Sequence, residues 1–285
     1  MSLKVTRFCN PGGNRIGVST AMNPSPKAEG SSQIPVKTYD YPYFDRLGAL
    51  MKPRLIRPVG HDAGRPLLII LHGLTGYKEE PHLEALADMA RSIGFATLQT
   101  DLYGHGDCGG SFYDHTLRKW IAQIRWLIHQ VRSQADYPKI FLGGHSQGAL
   151  CALLAAAMEE GSVAGVIALA PALRIPEQAR KGTLFGLHFD PQNVPPEISV
   201  WGKILSGAYI RDAQTVYAED AASYSGPVLF VHSDTDERVP IEVSEEAAKQ
   251  YKNAQLVTLH GDTHDFDRHP DALTEAVQTW LLKQK

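Results

Sequence analysis

Six short apolar runs, spaced widely enough for a helix to fit between most neighbours, constrain this chain more than any other feature. They are Pro66 to Leu71, Phe95 to Thr100, Ile140 to Gly143, Val163 to Ala170, Val228 to His232 and Leu256 to His260. Amphipathic stretches fill the intervals, the longest being Asp114 to Arg132, with Leu83 to Ile93 and Ile241 to Tyr251 shorter. Strand-length runs that stay apolar are buried on both faces, and long crossovers between them predict a mostly parallel, doubly wound α/β sheet. Two extended segments within 35–58 are expected at the sheet edge, because one carries prolines that central strands avoid. The rhythm breaks once, between Ala172 and Gly226, where about fifty residues separate two core strands. This interval, about 172–226, reads as an inserted lid. Residues 1–34, with a turn at Asn10 to Asn14, read as an extension, so that 35–285 forms one domain.

The third run ends in Gly144-His145-Ser146-Gln147-Gly148, and the strong helix formers Ala149 to Met158 follow at once. A serine at a sharp strand-to-helix turn has its hydroxyl exposed at the sheet's carboxyl edge, where small neighbours let the strained backbone close. A serine hydroxyl is a poor nucleophile at neutral pH and needs a base that is itself oriented by an acid. Downstream, the strand ending at His232 runs into Ser233-Asp234-Thr235-Asp236-Glu237-Arg238-Val239-Pro240, and the last strand runs into Gly261-Asp262-Thr263-His264. Both loops lie at carboxyl ends of strands, where open α/β sheets assemble their sites. The candidate catalytic residues are therefore Ser146, Asp236 and His264. Asp236 is favoured because a short turn and Val-Pro follow it; Asp234 remains the alternative. His260 is the rival base, set aside because it still belongs to the strand. For the oxyanion that ester attack develops, two backbone N–H donors are expected, from Gln147 and from Leu74 in the loop His72-Gly73-Leu74-Thr75-Gly76. His72, His105 and His145 are read as loop-stabilising.

A net charge of −3 offers no basic face for nucleic acid and no polybasic membrane anchor, leaving a small molecule as the expected partner. No run is long enough to span a bilayer or to serve as a secretory signal, which points to a cytoplasmic location. Cys9, Cys108 and Cys151 lie far apart, without the spacing of a metal site or a disulfide framework. Asp262, Asp265, Asp267 and His269 match no zinc motif and read as solvated loop charges, so neither a metal nor an organic cofactor is expected. The oligomeric state is not legible, and a homodimer is compatible with the sequence.

Taken together, His72-Gly-Leu-Thr-Gly76, Asp101-Leu-Tyr-Gly-His-Gly-Asp107, Gly144-His-Ser-Gln-Gly148, Asp236-Glu-Arg-Val-Pro240 and Gly261-Asp-Thr-His264 resemble the α/β-hydrolase superfamily, in matching order from about Arg54 onward. Within it, the segments Phe189-Asp-Pro-Gln-Asn-Val-Pro195 and Gly207-Ala-Tyr-Ile-Arg-Asp-Ala-Gln214 look like those of bacterial cinnamoyl and feruloyl esterases. The resemblance implies an α/β-hydrolase fold with a small lid, and hydrolysis of hydroxycinnamate esters. In that lid Phe185, Phe189, Trp201, Tyr209 and Tyr217 mix with Asp190, Gln192 and Asn193. Such a mixture either sandwiches a phenolic ring or forms the lid's own small core; Asp190 and Tyr209 are the expected substrate contacts. An acylglycerol-lipase- or thioesterase-like hydrolase is the enzymatic alternative, and a hydrolase-fold small-ligand binding protein the non-enzymatic one.

Overall fold

The computed structural model describes residues 36–40, 43–45, 48–58, 64–133 and 137–284. The expected extension at 1–34, with Cys9, lies outside the described residues. Eight strands form one sheet: β1 (Val36–Asp40), β2 (Arg54–Pro58), β3 (Leu67–Leu71), β4 (Ala96–Thr100), β5 (Ile140–His145), β6 (Gly165–Leu169), β7 (Val228–Ser233) and β8 (Ala254–Leu259). Their order is β1-β2-β4-β3-β5-β6-β7-β8. From β4 to β8 every pairing is parallel, while β1 and β2 pair antiparallel with each other and β2 pairs antiparallel with β4. The two segments form an antiparallel pair at the sheet edge, as expected, but the proline-bearing one, β2, is the inner of the two, and its Pro58 lies past the residues that pair with β4.

The apolar runs explain the layering. In β3, Leu67, Ile69 and Leu71 enter the core on one face, and Leu68 and Ile70 enter the core on the other. Burying each such side chain contributes about 1.5–3 kcal/mol. The first face is covered by α2 (Leu117–Ser133) and α3 (Gln147–Met158); the second by α1 (Pro81–Ser92) and the last helix, Pro270–Gln284. Helix α3 is apolar all round and every residue from Gln147 to Ala156 is buried, as a helix enclosed between a sheet and another layer must be. Cys151, on this helix, is buried and free.

Between β6 and β7 the chain leaves the sheet. It forms α4 (Ile175–Lys181), a tight hairpin pairing Thr183–Leu184 with Leu187–His188, and a second hairpin pairing Glu197–Val200 with Lys203–Ser206. Helix α5 (Gly207–Gln214) and a 3-10 turn, Ala218–Ser223, complete the segment. A further helix, α6 (Glu242–Ala248), precedes β8. The last strand runs from Ala254 to Leu259, earlier than the apolar pattern suggested, so His260 lies beyond it and is exposed. Among the described residues no helix is long and apolar enough to cross a membrane.

Candidate active site

Ser146 sits between β5 and α3 with φ 54° and ψ −118°, a conformation that L-residues adopt only where the surroundings enforce it. The enforcement is visible. Its N–H donates to Leu169 O on β6 at 2.8 Å. A Cβ on Gly148 would lie 2.2 Å from His72 O, and one on Gly144 would lie 2.7 Å from the backbone of Ala149, so strand, helix and neighbouring loop approach closely only because both positions are glycine.

His264 and Asp236 meet across two loops. Nδ1 of His264 donates to Asp236 Oδ2 at 2.7 Å, which leaves Nε2 as the basic nitrogen. Both side chains are sealed, 3 % and 1 % exposed. The other carboxylate oxygen accepts from the N–H groups of Arg238 and Val239, each at 2.8 Å. His232 Nε2 donates to Val239 O at 2.9 Å and also lies 3.2 Å from Oδ2, so its hydrogen is shared with the carboxylate. Burial alone would raise the Asp236 carboxyl, but the hydrogen bonds from His232 and His264 outweigh it and hold the group well below the usual carboxylate range. Asp234 turns elsewhere: its exposed carboxylate accepts from His260 Nδ1 at 2.7 Å and from Gly261 N at 2.9 Å. The two aspartates thus take different histidines, and the geometry separates them where spacing alone did not.

Ser146 and His264 line one cavity of about 490 Å³, together with the loop Gly73, Leu74 and Thr75. Its volume falls in the range of small-molecule sites. The backbone N–H groups of Leu74 and Gln147 have no partner among the described residues, so both are free to donate. The loop bearing Leu74 is braced from behind. His72 donates from Nδ1 to Gly73 O at 2.8 Å and accepts from Leu102 N at 3.0 Å, and Thr75 N donates to His105 Nε2 at 3.2 Å.

The cavity is also lined by Phe185 and Trp201, whose ring centroids are 5.6 Å apart. Each is the first residue of a two-residue hairpin turn and is followed by a glycine, and all four have positive φ (53° and 78°; 47° and 79°). These are primed turns, which ordinarily favour Asn-Gly. Placing aromatic residues there costs backbone energy, and both residues line the cavity.

The structure does not bring the two expected substrate contacts to the cavity. Asp190 is exposed and its carboxylate accepts from Gln192 N at 2.9 Å within its own turn. Tyr209 is fully buried, and its hydroxyl donates to Gln147 Oε1 at 2.7 Å, so it stands behind the Gln147 side chain and does not line the cavity. Replacing Tyr209 by Phe would leave that amide oxygen without its donor, and a loss of about 1–3 kcal/mol in urea unfolding is expected.

Sequence reasoning missed Glu80, Arg174, Gln178 and Arg238, which line the cavity, and His232, hidden at the end of an apolar run. Burial, with the nearby Asp265 charge, pushes the Glu80 carboxyl up to about 7.

The family model described as serine aminopeptidase, S33, matches residues 62–222, and one described as TAP-like protein matches residues 207–285. Est1E from Butyrivibrio proteoclasticus, in a structure with ferulic acid bound, is 46% identical, with a TM-score of 0.82 over 85% of this chain and 98% of that one. Human Protein ABHD12B is 24% identical over 234 residues, and this chain spans 62% of its length, covering 78% of its own. A monoacylglycerol lipase from Paleococcus ferrophilus, 20% identical with a TM-score of 0.59 over 78% of this chain and 97% of that one, shares the fold.

Proposed function

The chain belongs to the serine aminopeptidase S33 family of α/β hydrolases, and from that premise we propose that it is a serine carboxylic-ester hydrolase that cleaves hydroxycinnamate esters through an acyl-enzyme. The observation that carries the reading is the shared cavity. Ser146, His264, the residues that carry two free N–H donors and the aromatic pair Phe185 and Trp201 all line it. Likeness to Est1E, whose structure contains ferulic acid, supports an aromatic acyl group.

In this reading His264 Nε2 removes the Ser146 proton as Oγ attacks the ester carbonyl. The oxygen that becomes negative is held by the N–H groups of Leu74 and Gln147, each donor contributing roughly 3–4 kcal/mol to the transition state. Collapse breaks the bond to the alcohol, and His264 returns the proton to that leaving oxygen. Water, deprotonated by His264, then attacks the acyl carbon and releases the acid and Ser146. Asp236 keeps the proton of His264 on Nδ1 throughout and offsets the imidazolium charge.

The segment 172–226 acts as the lid, with Phe185 and Trp201 stacking on the acyl ring while Arg174 and Gln178 offer polar atoms to its hydroxyl. Steady-state hydrolysis of methyl ferulate and p-nitrophenyl butyrate tests this. A higher kcat/KM on the ferulate is expected. Efficient turnover of butyrate alone would keep the chemistry and discard the aromatic acyl group, and turnover of neither would favour a ligand-binding role.

A further inference from the structure

Beside His264, and partly lining the same cavity through Glu80 and His145, is a polar cluster that ester hydrolysis does not use. Glu80 immediately precedes α1, His82 is in its first turn, and His145 ends β5. One ligand atom from each of the three lies within 4.8 Å of the other two. Glu80 Oε2, His82 Nε2 and His145 Nδ1 are all buried and have no hydrogen-bond partner among the described residues. Both histidines are 3 % exposed, and their rings are 4.5 Å apart.

The tautomer of His145 is fixed by its other nitrogen. Nε2 lies 3.0 Å from the carbonyl oxygen of His264, which can only accept, so Nε2 carries the hydrogen and Nδ1 presents a lone pair. A buried lone pair beside a carboxylate is costly unless an electron-poor atom satisfies both. A histidine that binds through one nitrogen and donates the other N–H to a backbone carbonyl is the usual arrangement around protein-bound metal. Two imidazoles and a carboxylate are a donor set that zinc accepts. Gly76 makes room for the carboxylate, since a Cβ there would lie 2.6 Å from Glu80 Oε2.

We propose that Glu80, His82 and His145 bind a divalent transition-metal cation of the zinc type, which braces the His264 loop through the His145–His264 hydrogen bond. No step of ester hydrolysis runs through this ion, and its binding is read without turnover. A second grouping competes for the assignment, because His145, His264 and Asp265 also bring ligand atoms within 4.8 Å of one another. An ion held there would occupy the proposed base instead of bracing it.

The full chain, stripped with a chelator, is titrated with zinc chloride by calorimetry and by thermal unfolding, with magnesium as the oxygen-preferring control. Zinc is expected to raise Tm by roughly 5 °C at a free concentration about a hundredfold above its Kd, and magnesium to leave Tm unchanged. Glu80→Gln and His82→Asn should each weaken zinc at least about tenfold, and Asp265→Asn should not. The unfolding of each stripped variant reports whether it is folded, and binding to the unaltered chain stands without them. Failure of zinc to bind that chain, undiminished binding in both ligand variants, or loss in Asp265→Asn would overturn the assignment.

Discussion

Ser146→Ala is expected to lower kcat on any ester by roughly 10⁵–10⁶-fold while leaving the fold intact. The loss follows from chemistry alone, since the remaining groups can hold an ester but have no atom with which to form the acyl-enzyme. Stability should separate this variant from Ser146→Gly, which loses the same activity. Position 146 is held at φ 54° and ψ −118° by its own N–H bond to Leu169 and by close packing at Gly144 and Gly148. Alanine keeps the Cβ and therefore keeps the strain, whereas glycine adopts such angles freely. Strain of this kind costs about 1–3 kcal/mol, and the extra freedom of an unfolded glycine returns about 0.4–1 kcal/mol of it. Urea unfolding should accordingly find the glycine variant about 1 kcal/mol more stable than the alanine one. Retained turnover in either variant would remove Ser146 from the reaction, and equal stability would remove the strain from the account.

That strained serine was legible because the pattern encoding it is local: a strand, a glycine-flanked serine and a run of helix formers leave one way to turn. The sheet was legible for a similar reason, since β3 to β8 are each short, apolar and well separated, so their existence follows from periodicity. The segment between β6 and β7 has no such regularity. Its aromatic content was readable, but which aromatic residues line the cavity depends on two primed turns that ordinarily call for asparagine, and Phe185 and Trp201 carry no mark of that choice. Tyr209 and Asp190 drew attention as polar groups near aromatics. Yet a tyrosine on a short helix can as readily point its hydroxyl toward α3, and an aspartate two residues before a glutamine N–H can cap its own turn. His232 was invisible for the opposite reason: it ends a run whose other members are apolar, and only the fold reveals that its ring reaches the Asp236 carboxylate. The Glu80, His82 and His145 cluster joins a close pair at the start of α1 to a histidine far along the chain, a spacing that matches no metal motif.

Asp236→Asn should cost roughly 10⁴-fold in kcat, and the reason is the number of donors that converge on this carboxylate. One oxygen accepts from His264 and His232, and the other accepts from the N–H groups of Arg238 and Val239. A carboxylate meets all four as an acceptor, but an amide has only one accepting atom. If its NH₂ faces the histidines, His264 must present Nδ1 as a lone pair and move its hydrogen to Nε2, which then cannot take the Ser146 proton. If the amide turns the other way, its NH₂ meets two backbone donors that have no alternative partner. Activity falls in the first case, and stability falls in the second. The pH response distinguishes this from a general loss of packing. Because the folded protein holds the Asp236 carboxyl below its unfolded value of about 3.9, the unfolded state binds more protons as the medium becomes acidic. The contribution of this group is therefore complete above about pH 3.9 and is lost as pH falls from there toward the folded value. Removing the titrating group should flatten that part of the profile, so the stability gap between the two proteins, measured by urea unfolding, should be wide at neutral pH and narrower at about pH 3. A gap that stays constant across this range would mean that Asp236 contributes shape to the loop and not charge to His264.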